Sequence, residues 1–235
     1  MIRRPPRSTL SSSSAASDVY KRQIQLTGIH FHIGSQVAGL DSYTQLCSRV
    51  NEFQNLFEDN GFHLQHINLG GGLGINYENP DKEPIPDFKS FFEIFEKQLD
   101  VRSGQEIHFE LGRSIVGQCG SLISRVLYIK EGVTTHFAVL DAGLTELIRP
   151  ALYEAQHCID VLTSDKSPKI YDVVGPVCES SDTFRHGISL PELHRGDLVA
   201  IRSAGAYGEV MSSQYLLRDK AKDYYSDELS ELIPK

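Results

Sequence analysis

The sequence predicts an α/β fold in which a partial (β/α)8 barrel of the TIM type, made of the late strands only, is followed by a C-terminal β-rich domain. Between residues 24 and 120 the pattern of strand, polar or glycine loop and helix repeats three times, as in parallel α/β folds. From 121 to 235, short strand-like runs follow with few helical stripes. Since three units cannot close an eight-stranded barrel, we expect the front of a barrel to be absent from this chain.

The amino-acid composition and net charge argue against several classes of protein. The 235 residues, of which 40% are hydrophobic, can form one large domain or two modest ones with a real core. No apolar stretch approaches membrane-spanning length, and the net charge of −8 argues against a nucleic-acid surface. The four cysteines are scattered without a C-x-x-C pair, which indicates neither a zinc ribbon nor a disulfide framework. We therefore expect a cytoplasmic protein with no membrane or nucleic-acid partner.

The first 23 residues differ in composition from the rest of the chain. They contain four arginines, one lysine, six serines and a single acidic residue. This composition imitates an organellar transit peptide, but the stretch has no amphipathic period, and Pro5-Pro6 interrupts any helix. It also resembles a translated sequencing-adapter leader, which is the interpretation we favour. We therefore expect 1–23 to be non-native and disordered and to stand in place of a native N-terminus.

The first repeat unit starts with the strand-like run 24–31, which leads into His32-Ile33-Gly34-Ser35. Apolar residues at helical spacing predict a helix from about Asp41 to Asn60, and Gly61 is a suitable C-cap. Polar residues thus follow directly after the strand. This is the position at which α/β barrels carry their functional side chains.

The second and third units repeat this arrangement. A strand at 64–69 ends in the glycine run 70–72, and an aromatic stripe predicts a helix over about 87–99. A third strand at 106–110 ends in Leu111-Gly112-Arg113. We expect the ends of all three strands to contribute to one functional site.

The prediction of a β-rich second domain, over 121–235, depends on four apolar runs that have no helical period. They are SLISRVLYIK (121–130), THFAVLDAG (135–143), KIYDVVGPV (169–177) and GDLVAIRSAG (196–205).

His30 and His32 lie two residues apart on a predicted strand, so their side chains point to the same face. An H-x-H pair of this kind can begin the metal site of a barrel hydrolase. The alternative is an inward-facing histidine satisfied by hydrogen bonds beside a buried neighbour. No well-placed third and fourth ligands follow, so we predict no metal.

Glycines and charges follow the second and third strands. The run GGGLG fits neither a dinucleotide fingerprint nor a Walker loop, since Ile75 stands where a glycine is needed and no Gly-Lys-Ser/Thr follows. Its backbone N–H groups can still bind an anion, although a tight turn without a ligand explains it equally well. In FELGRS, Glu110 can face a cation and Arg113 a phosphate or carboxylate, or the two can form an ordinary surface ion pair.

Three later motifs carry reactive side chains. RPALYE (149–154) and AGAYGE (204–209) each present a tyrosine from a turn, and both tyrosines can be packing residues. VVGPVCESSD (173–182) places Cys178 beside Glu179. This pair is either packing next to a solvated charge or a proton donor next to a binding group. Together with Ser35, the glycine run and Arg113, these motifs indicate a site for a phosphorylated ligand.

Taken in order, HFHIGSQ, NLGGGLG, ELGR, RPALY, GPVCESSD and GAYG closely resemble the motifs of diaminopimelate decarboxylases, which are fold type III, alanine-racemase-like enzymes dependent on pyridoxal phosphate. The resemblance covers residues 24 to about 228. It implies decarboxylation of meso-diaminopimelate to lysine and carbon dioxide, the last step of lysine biosynthesis, with pyridoxal 5′-phosphate as cofactor.

The resemblance also assigns contacts to the cofactor. His32 would stack on its ring, and Glu110 would pair with the pyridine nitrogen and keep it protonated. The residues assigned to its phosphate are Ser35, Gly72, Gly112, Arg113 and Tyr207.

For the substrate, the resemblance implies two catalytic residues, His32 and Cys178, the latter protonating the substrate carbon after carbon dioxide leaves. The cysteine-glutamate loop would reach the partner subunit's site, so that two chains of a homodimer share each active site. Arg113, Arg149 and Tyr153 would hold substrate carboxylates, and Glu179 and Tyr207 would also contact the substrate.

Substrate choice depends on small differences. Related ornithine decarboxylases carry aspartate in place of Glu179 and lack the GSQ at 34–36, while Arg149 suits a distal carboxylate that ornithine does not have. The alternatives are a decarboxylase of ornithine, arginine or carboxynorspermidine, a metal-dependent barrel hydrolase using His30 and His32, and a non-catalytic homologue.

Three departures from the family pattern stand out. Leu111 replaces a proline, and Leu216 replaces the usual asparagine. The lysine that binds the cofactor covalently lies on an early barrel strand of the family, and no matching segment occurs here. From this we expect the chain as written not to decarboxylate.

Overall fold

A computed structural model describes residues 25–37 and 39–229 of the chain, so the predicted leader at 1–23 lies outside the described residues. The chain divides into two compact units. Among the described residues, unit 1 comprises 25–33, Gly39–Gly71 and Lys89–Glu110, and unit 2 comprises 34–37, Gly72–Phe88 and 111–229. The predicted domain boundary at residue 120 stays a prediction.

Unit 1 is built on a three-stranded parallel sheet with two long helices. Its elements in chain order are β1 (Gly28–His30), α1 (Asp41–Asp59), β2 (His66–Asn68), α2 (Phe88–Gln98) and β3 (Glu106–His108). The strands lie in the order β1-β2-β3, and Ile29, Ile67 and Ile107 are in register. This confirms the predicted βα repeat, although each strand is shorter than the apolar run that predicts it.

The helices of unit 1 form because their apolar residues fall on one stripe that the core buries. Tyr43 and Val50 of α1 are buried, and the Tyr43 ring meets Phe91 of α2 edge-on with 4.9 Å between ring centroids. Phe95 of α2 and Phe109, which follows β3, lie 5.0 Å apart in the same arrangement. This aromatic packing holds α2 against the end of β3.

Unit 2 contains the second sheet and several short helices. Its elements are α3 (Arg113–Val116), β4 (Leu122–Glu131), β5 (His136–Leu140), α4 (Arg149–Tyr153), β6 (Ile159–Val161), β7 (Pro168–Val174), β8 (Thr183–Pro191), β9 (Leu198–Ile201) and α5 (Ser226–Leu229), with 3-10 turns at Gly117–Cys119, Glu209–Met211 and Tyr215–Leu217. The six strands lie in the order β6-β9-β4-β5-β7-β8. The predicted α/β fold with a β-rich C-terminal part is confirmed.

Strand β4 organises this sheet because its two halves have different partners. Leu122–Arg125 pairs antiparallel with β9, and Val126–Glu131 pairs antiparallel with β5. Strands β5 and β7 are parallel, whereas β7 and β8 are antiparallel. The core between these strands includes Val126, Leu140 and Tyr171, all almost fully buried. None of the helices in the described part of the chain has the length and apolar character needed to cross a membrane.

Candidate active site

In unit 1, the Glu110 carboxylate lies two residues beyond the end of β3. It accepts a hydrogen bond of 2.8 Å from Nδ2 of Asn68, and its second oxygen lies 3.3 Å from Nε2 of His30. Asn68 also accepts a hydrogen bond of 2.9 Å from the backbone N–H of Gly70. Asn68 therefore orients both the carboxylate and the start of the glycine run. Because Glu110 and His30 are each about half exposed, their mutual attraction is weak, and the carboxylate can take another partner.

His32 follows β1 and is exposed, beside the glycine run. Gly70 has a φ of +69° and lies so close to the backbone of Phe31 that a Cβ would overlap its carbonyl and approach Nδ1 of His32 to 3.1 Å. A glycine at this position lets the two strand ends approach each other. The backbone of the glycine run at Gly70 therefore packs closely against the segment that contains Phe31 and His32.

In unit 2, the structure brings Ser35, Arg113 and Tyr207 together. The Arg113 guanidinium donates a hydrogen bond of 3.1 Å to Oγ of Ser35, and its Cζ lies 5.4 Å from the centre of the Tyr207 ring. A Cβ at Gly112 would approach the Tyr207 hydroxyl to 2.6 Å, so only glycine lets this hydroxyl lie so close to the backbone. Two hydroxyls and a guanidinium thus lie together beside a backbone position without a side chain.

Gly72 joins the Ser35 loop through backbone contacts. The carbonyl of Gly72 accepts a hydrogen bond of 2.8 Å from the N–H of Val37, and Val37 forms a parallel bridge with Leu73. The side chain of Gln36 bonds both backbone groups of Ile75, with distances of 2.7 and 3.2 Å. The GSQ segment is therefore fixed to the residues after the glycine run.

Arg149 begins α4, where Pro150 occupies the first turn, and it is only 4% exposed. Its Nη1 lies 3.1 Å from Nε2 of His157, and its Cζ lies 4.6 Å from the centre of the Tyr77 ring. Burial is the main cause that lowers the pKa of Arg149, and the charge of Arg113 acts in the same direction. Tyr153, at the other end of α4, is exposed.

Tyr77 connects the two arginines. Its hydroxyl accepts a short hydrogen bond from Nη1 of Arg113, and its ring lies under Arg149. The other hydrogen bonds of Arg113 and Arg149 among the described residues are to a serine, a carbonyl and an imidazole, all neutral groups. The Nε atoms of both arginines are buried and have no hydrogen-bond partner among the described residues. No acidic side chain of the described residues therefore compensates the charge of the pair, which suits anionic groups of a ligand.

The loop of Cys178 and Glu179 follows β7, and both residues are exposed. The carboxylate of Glu179 accepts a hydrogen bond of 2.7 Å from Tyr215, and this bond raises the pKa of that tyrosine. In the described part of the chain, neither Cys178 nor Glu179 hydrogen-bonds to Arg113 or Arg149. The structure therefore does not bring the two groups together through direct bonds within one chain.

Asp182 shapes this loop, and it was not among the residues that the sequence predicted. It is buried and accepts hydrogen bonds from the N–H groups of Leu144 and Val177, at 2.6 and 2.7 Å. A Cβ at Gly175 would overlap its carboxylate. Burial raises the pKa of Asp182, while its backbone donors act in the opposite direction. Its position in the GPVCESSD motif was the signal that could have identified it.

A second group of polar residues lies on β2 and β3. Nδ1 of His66 and Nε2 of His108 are 3.1 Å apart, and the Glu106 carboxylate lies 3.4 and 3.8 Å from them. Among the described residues this is the one group of three with metal-ligand side chains, and it contains neither His30 nor His32. The two rings satisfy each other by a hydrogen bond, and Glu106 is largely exposed, so the group is accounted for without an ion.

Leu111 and Leu216, which depart from the family pattern, lie in different backbone environments. After Leu111, the chain enters α3 directly at Arg113, and the N–H groups of Ile115 and Val116 bond to the Gly112 carbonyl. Leu216 has a φ of 57°, in the left-handed region that asparagine tolerates better than a leucine. The usual family residue thus fits the backbone at position 216 better than the one present.

Comparison with known proteins gives consistent matches. Residues 16–205 match the family described as pyridoxal-dependent decarboxylase, C-terminal sheet domain. A protein of Bacteroides thetaiotaomicron named diaminopimelate decarboxylase is 54% identical over 208 residues, which are 88% of this chain and 54% of that protein. The chain thus spans about half the length of the curated relatives it matches.

Two solved structures of decarboxylases are also similar to this chain. The diaminopimelate decarboxylase of Helicobacter pylori, complexed with L-lysine, superposes with a TM-score of 0.77 at 37% identity, covering 88% of this chain and 51% of that one. The lysine/ornithine decarboxylase of Vibrio vulnificus, complexed with cadaverine, reaches a TM-score of 0.77 at 21% identity, covering 90% and 58%. At that identity, the second likeness supports the fold alone.

Proposed function

Because the chain belongs to the pyridoxal-dependent decarboxylases, we propose that it serves the decarboxylation of meso-2,6-diaminopimelate to L-lysine, with pyridoxal 5′-phosphate as cofactor. The observation that carries this proposal is the pair of arginines in unit 2, Arg113 and Arg149, whose hydrogen bonds among the described residues all go to neutral groups. Such a pair suits anionic groups, and a phosphorylated cofactor and a dicarboxylate substrate supply them.

The residues of unit 2 fit the phosphate of the cofactor. Ser35 and Tyr207 supply hydroxyl donors, Arg113 supplies charge, and Gly112, which has no side chain, lets the Tyr207 hydroxyl lie close to the backbone. Gly72 holds the Ser35 loop in place through the N–H of Val37. We propose that these five residues bind the phosphate.

In unit 1, Glu110 is proposed to face the pyridine nitrogen, with Asn68 holding the carboxylate in one orientation. When bound, pyridoxal phosphate would supply a protonated ring that delocalises the electron pair left on the substrate carbon when carbon dioxide departs. A carboxylate opposite the ring nitrogen keeps that proton in place. His32, which is exposed beside the glycine run, is proposed to stack on the ring.

Substrate choice is proposed to depend on Arg149. A second guanidinium that has no acidic partner in the described part of the chain suits the distal carboxylate of diaminopimelate, which ornithine lacks. Tyr153 and Glu179 are both exposed and are proposed to contact the substrate as well, together with Arg113 and Tyr207. A relative named diaminopimelate decarboxylase, at 54% identity, favours the same substrate.

Cys178 is proposed to donate the proton that replaces carbon dioxide. It is a free, exposed thiol and has no hydrogen bond to either arginine in the described part of the chain. We therefore propose a homodimer in which the loop of Cys178 and Glu179 serves the partner subunit's site. All four cysteines are free, which fits a reducing compartment, and the cytoplasm is the proposed location.

The proposal can be tested in a protein of the relatives' full length. The chain is joined to the portion of the Bacteroides thetaiotaomicron relative outside the matched residues; we call this protein the completed chain. It is assayed with meso-diaminopimelate, ornithine, arginine and carboxynorspermidine, with and without pyridoxal phosphate. We expect lysine to form only with the cofactor, and kcat/KM for meso-diaminopimelate to exceed the others by at least about 10²-fold.

Other results would contradict the proposal in distinct ways. A higher kcat/KM for ornithine would assign a different substrate. A folded, cofactor-saturated protein that acts on none of the four would favour a non-catalytic homologue.

A further inference from the structure

We propose that His157 is a positioning residue for substrate binding. As a neutral imidazole, it fixes the guanidinium of Arg149 without cancelling its charge, so that the charge remains available to a substrate carboxylate. This inference rests on the proposed function and extends it to a residue outside the recognised motifs.

His157 lies between α4 and β6 and is 1% exposed. Its Nε2 is 3.1 Å from Nη1 of Arg149, and its Nδ1 is 2.8 Å from the backbone carbonyl oxygen of Arg202. The imidazole also meets the ring of Tyr77 edge-on, with 4.8 Å between centroids. Three fixed contacts therefore determine where this ring lies.

These partners also determine the protonation of the ring. A guanidinium can only donate and a carbonyl can only accept, so Nε2 must carry the lone pair and Nδ1 must carry the proton. The ring is therefore neutral. Burial, the largest cause, lowers its pKa to about 4, and the charge of Arg149 acts in the same direction.

The neutral state has a consequence for Arg149. Its guanidinium is held by an imidazole lone pair on one side and by the face of the Tyr77 ring at 4.6 Å on the other. A carboxylate at position 157 could hold the same guanidinium equally well, but it would neutralise its charge. Histidine gives orientation and leaves the cation free for a ligand.

Two substitutions separate this role from simple packing. In His157→Gln, the side-chain oxygen can reach the position of Nε2 and accept from Arg149. In His157→Asn, the shorter amide can replace Nδ1–H toward the Arg202 carbonyl but leaves Arg149 without its acceptor. His157→Gln thus keeps the hydrogen bond to Arg149, and His157→Asn keeps the hydrogen bond to the Arg202 carbonyl.

In the completed chain, we expect His157→Asn to raise KM for meso-diaminopimelate at least about tenfold while kcat changes by less than about threefold. His157→Gln is expected to stay within about threefold of the parent in both constants. Binding of pimelate, a dicarboxylate probe that needs no turnover, is measured by calorimetry and is expected to weaken in the same order.

The outcomes distinguish this inference from the proposed function. If the parent forms no lysine, the proposed function fails and this inference with it. If the parent is active and both variants raise KM equally, or His157→Asn changes nothing, this inference alone is wrong. Should His157→Asn not fold, His157→Gln decides: parent-like KM and pimelate binding support the role, and a tenfold weaker affinity in a folded protein overturns it.

Discussion

Asn68 determines how Glu110 can act. By donating to one carboxylate oxygen at 2.8 Å and accepting from the Gly70 N–H, it holds the acid in a single orientation at the end of the sheet. His30 takes the second oxygen at 3.3 Å, but both partners are about half exposed. A carboxylate oriented in this way and still reachable can pair with a protonated ring nitrogen.

Replacing Glu110 with glutamine in the completed chain tests this role. The amide keeps the shape but cannot stabilise a protonated pyridine, so turnover should fall on the order of 10²-fold while the dissociation constant of pyridoxal phosphate changes little. The control is Glu106→Gln, a change to an exposed acid on β3, the strand that Glu110 follows. The assignment is wrong if cofactor affinity and turnover fall together, or if the control loses as much turnover.

The residues that could be predicted from the sequence share one property. Glu110 and Arg113 follow a strand directly, so their chemistry and their place are both visible in a short motif. Tyr77 and His157 could not be predicted in this way. The hydroxyl of Tyr77 bonds to Arg113, which is 36 residues away, and Nδ1 of His157 donates to the carbonyl of Arg202, which is 45 residues away. Such partners are determined by the sheet of unit 2, and a local pattern does not reveal them.

At the scale of elements, helices were easier to predict than strands. The helix expected over Asp41–Asn60 is observed at Asp41–Asp59, because both the apolar stripe and the terminating glycine are local signals. Strands β6 and β8 were not among the four predicted runs. Strand β6 has only three residues, and β8 contains Gly187 with a φ of +59°, which interrupts its pattern.

Gly61 ends α1 and provides a test at this scale. It has a φ of +79°, its N–H bonds to the Glu58 carbonyl, and the N–H of Phe62 bonds to the Phe57 carbonyl, which is a Schellman motif. Because nothing lies within 4 Å of a Cβ at this position, Gly61→Ala changes only the backbone preference. We expect it to lower the free energy of unfolding by about 1 kcal/mol.

The matched control for this substitution is Gly39→Ala. Gly39 also has no atom within 4 Å of a Cβ, but its φ is not in the left-handed region. Urea denaturation of both variants should show a loss for Gly61→Ala and a change within about 0.5 kcal/mol for Gly39→Ala. Equal changes in the two variants would contradict the role of Gly61 as a cap.

At the scale of the whole molecule, the chain alternates between its two units. Unit 1 segments end at Ile33, Gly71 and Glu110, and at each of these positions the next residue belongs to unit 2. Shortly after each of β1, β2 and β3, the chain therefore passes from unit 1 into a segment of unit 2. These segments contain Ser35, Gly72 and Arg113, respectively. Three of the six motifs that resemble the decarboxylases, HFHIGSQ, NLGGGLG and ELGR, span these junctions, so each of these short motifs contains residues of both units.

The central claim is that this chain carries the proton donor of a decarboxylase. It is tested most directly by comparing two free, exposed cysteines, Cys178 and Cys119, each replaced by alanine in the completed chain. For Cys178→Ala we expect pyridoxal phosphate to stay bound and turnover of meso-diaminopimelate to fall by about 10²–10⁴-fold, as for the loss of a general acid. Cys119→Ala is expected to retain parental turnover. Near-normal lysine formation by Cys178→Ala would contradict the account.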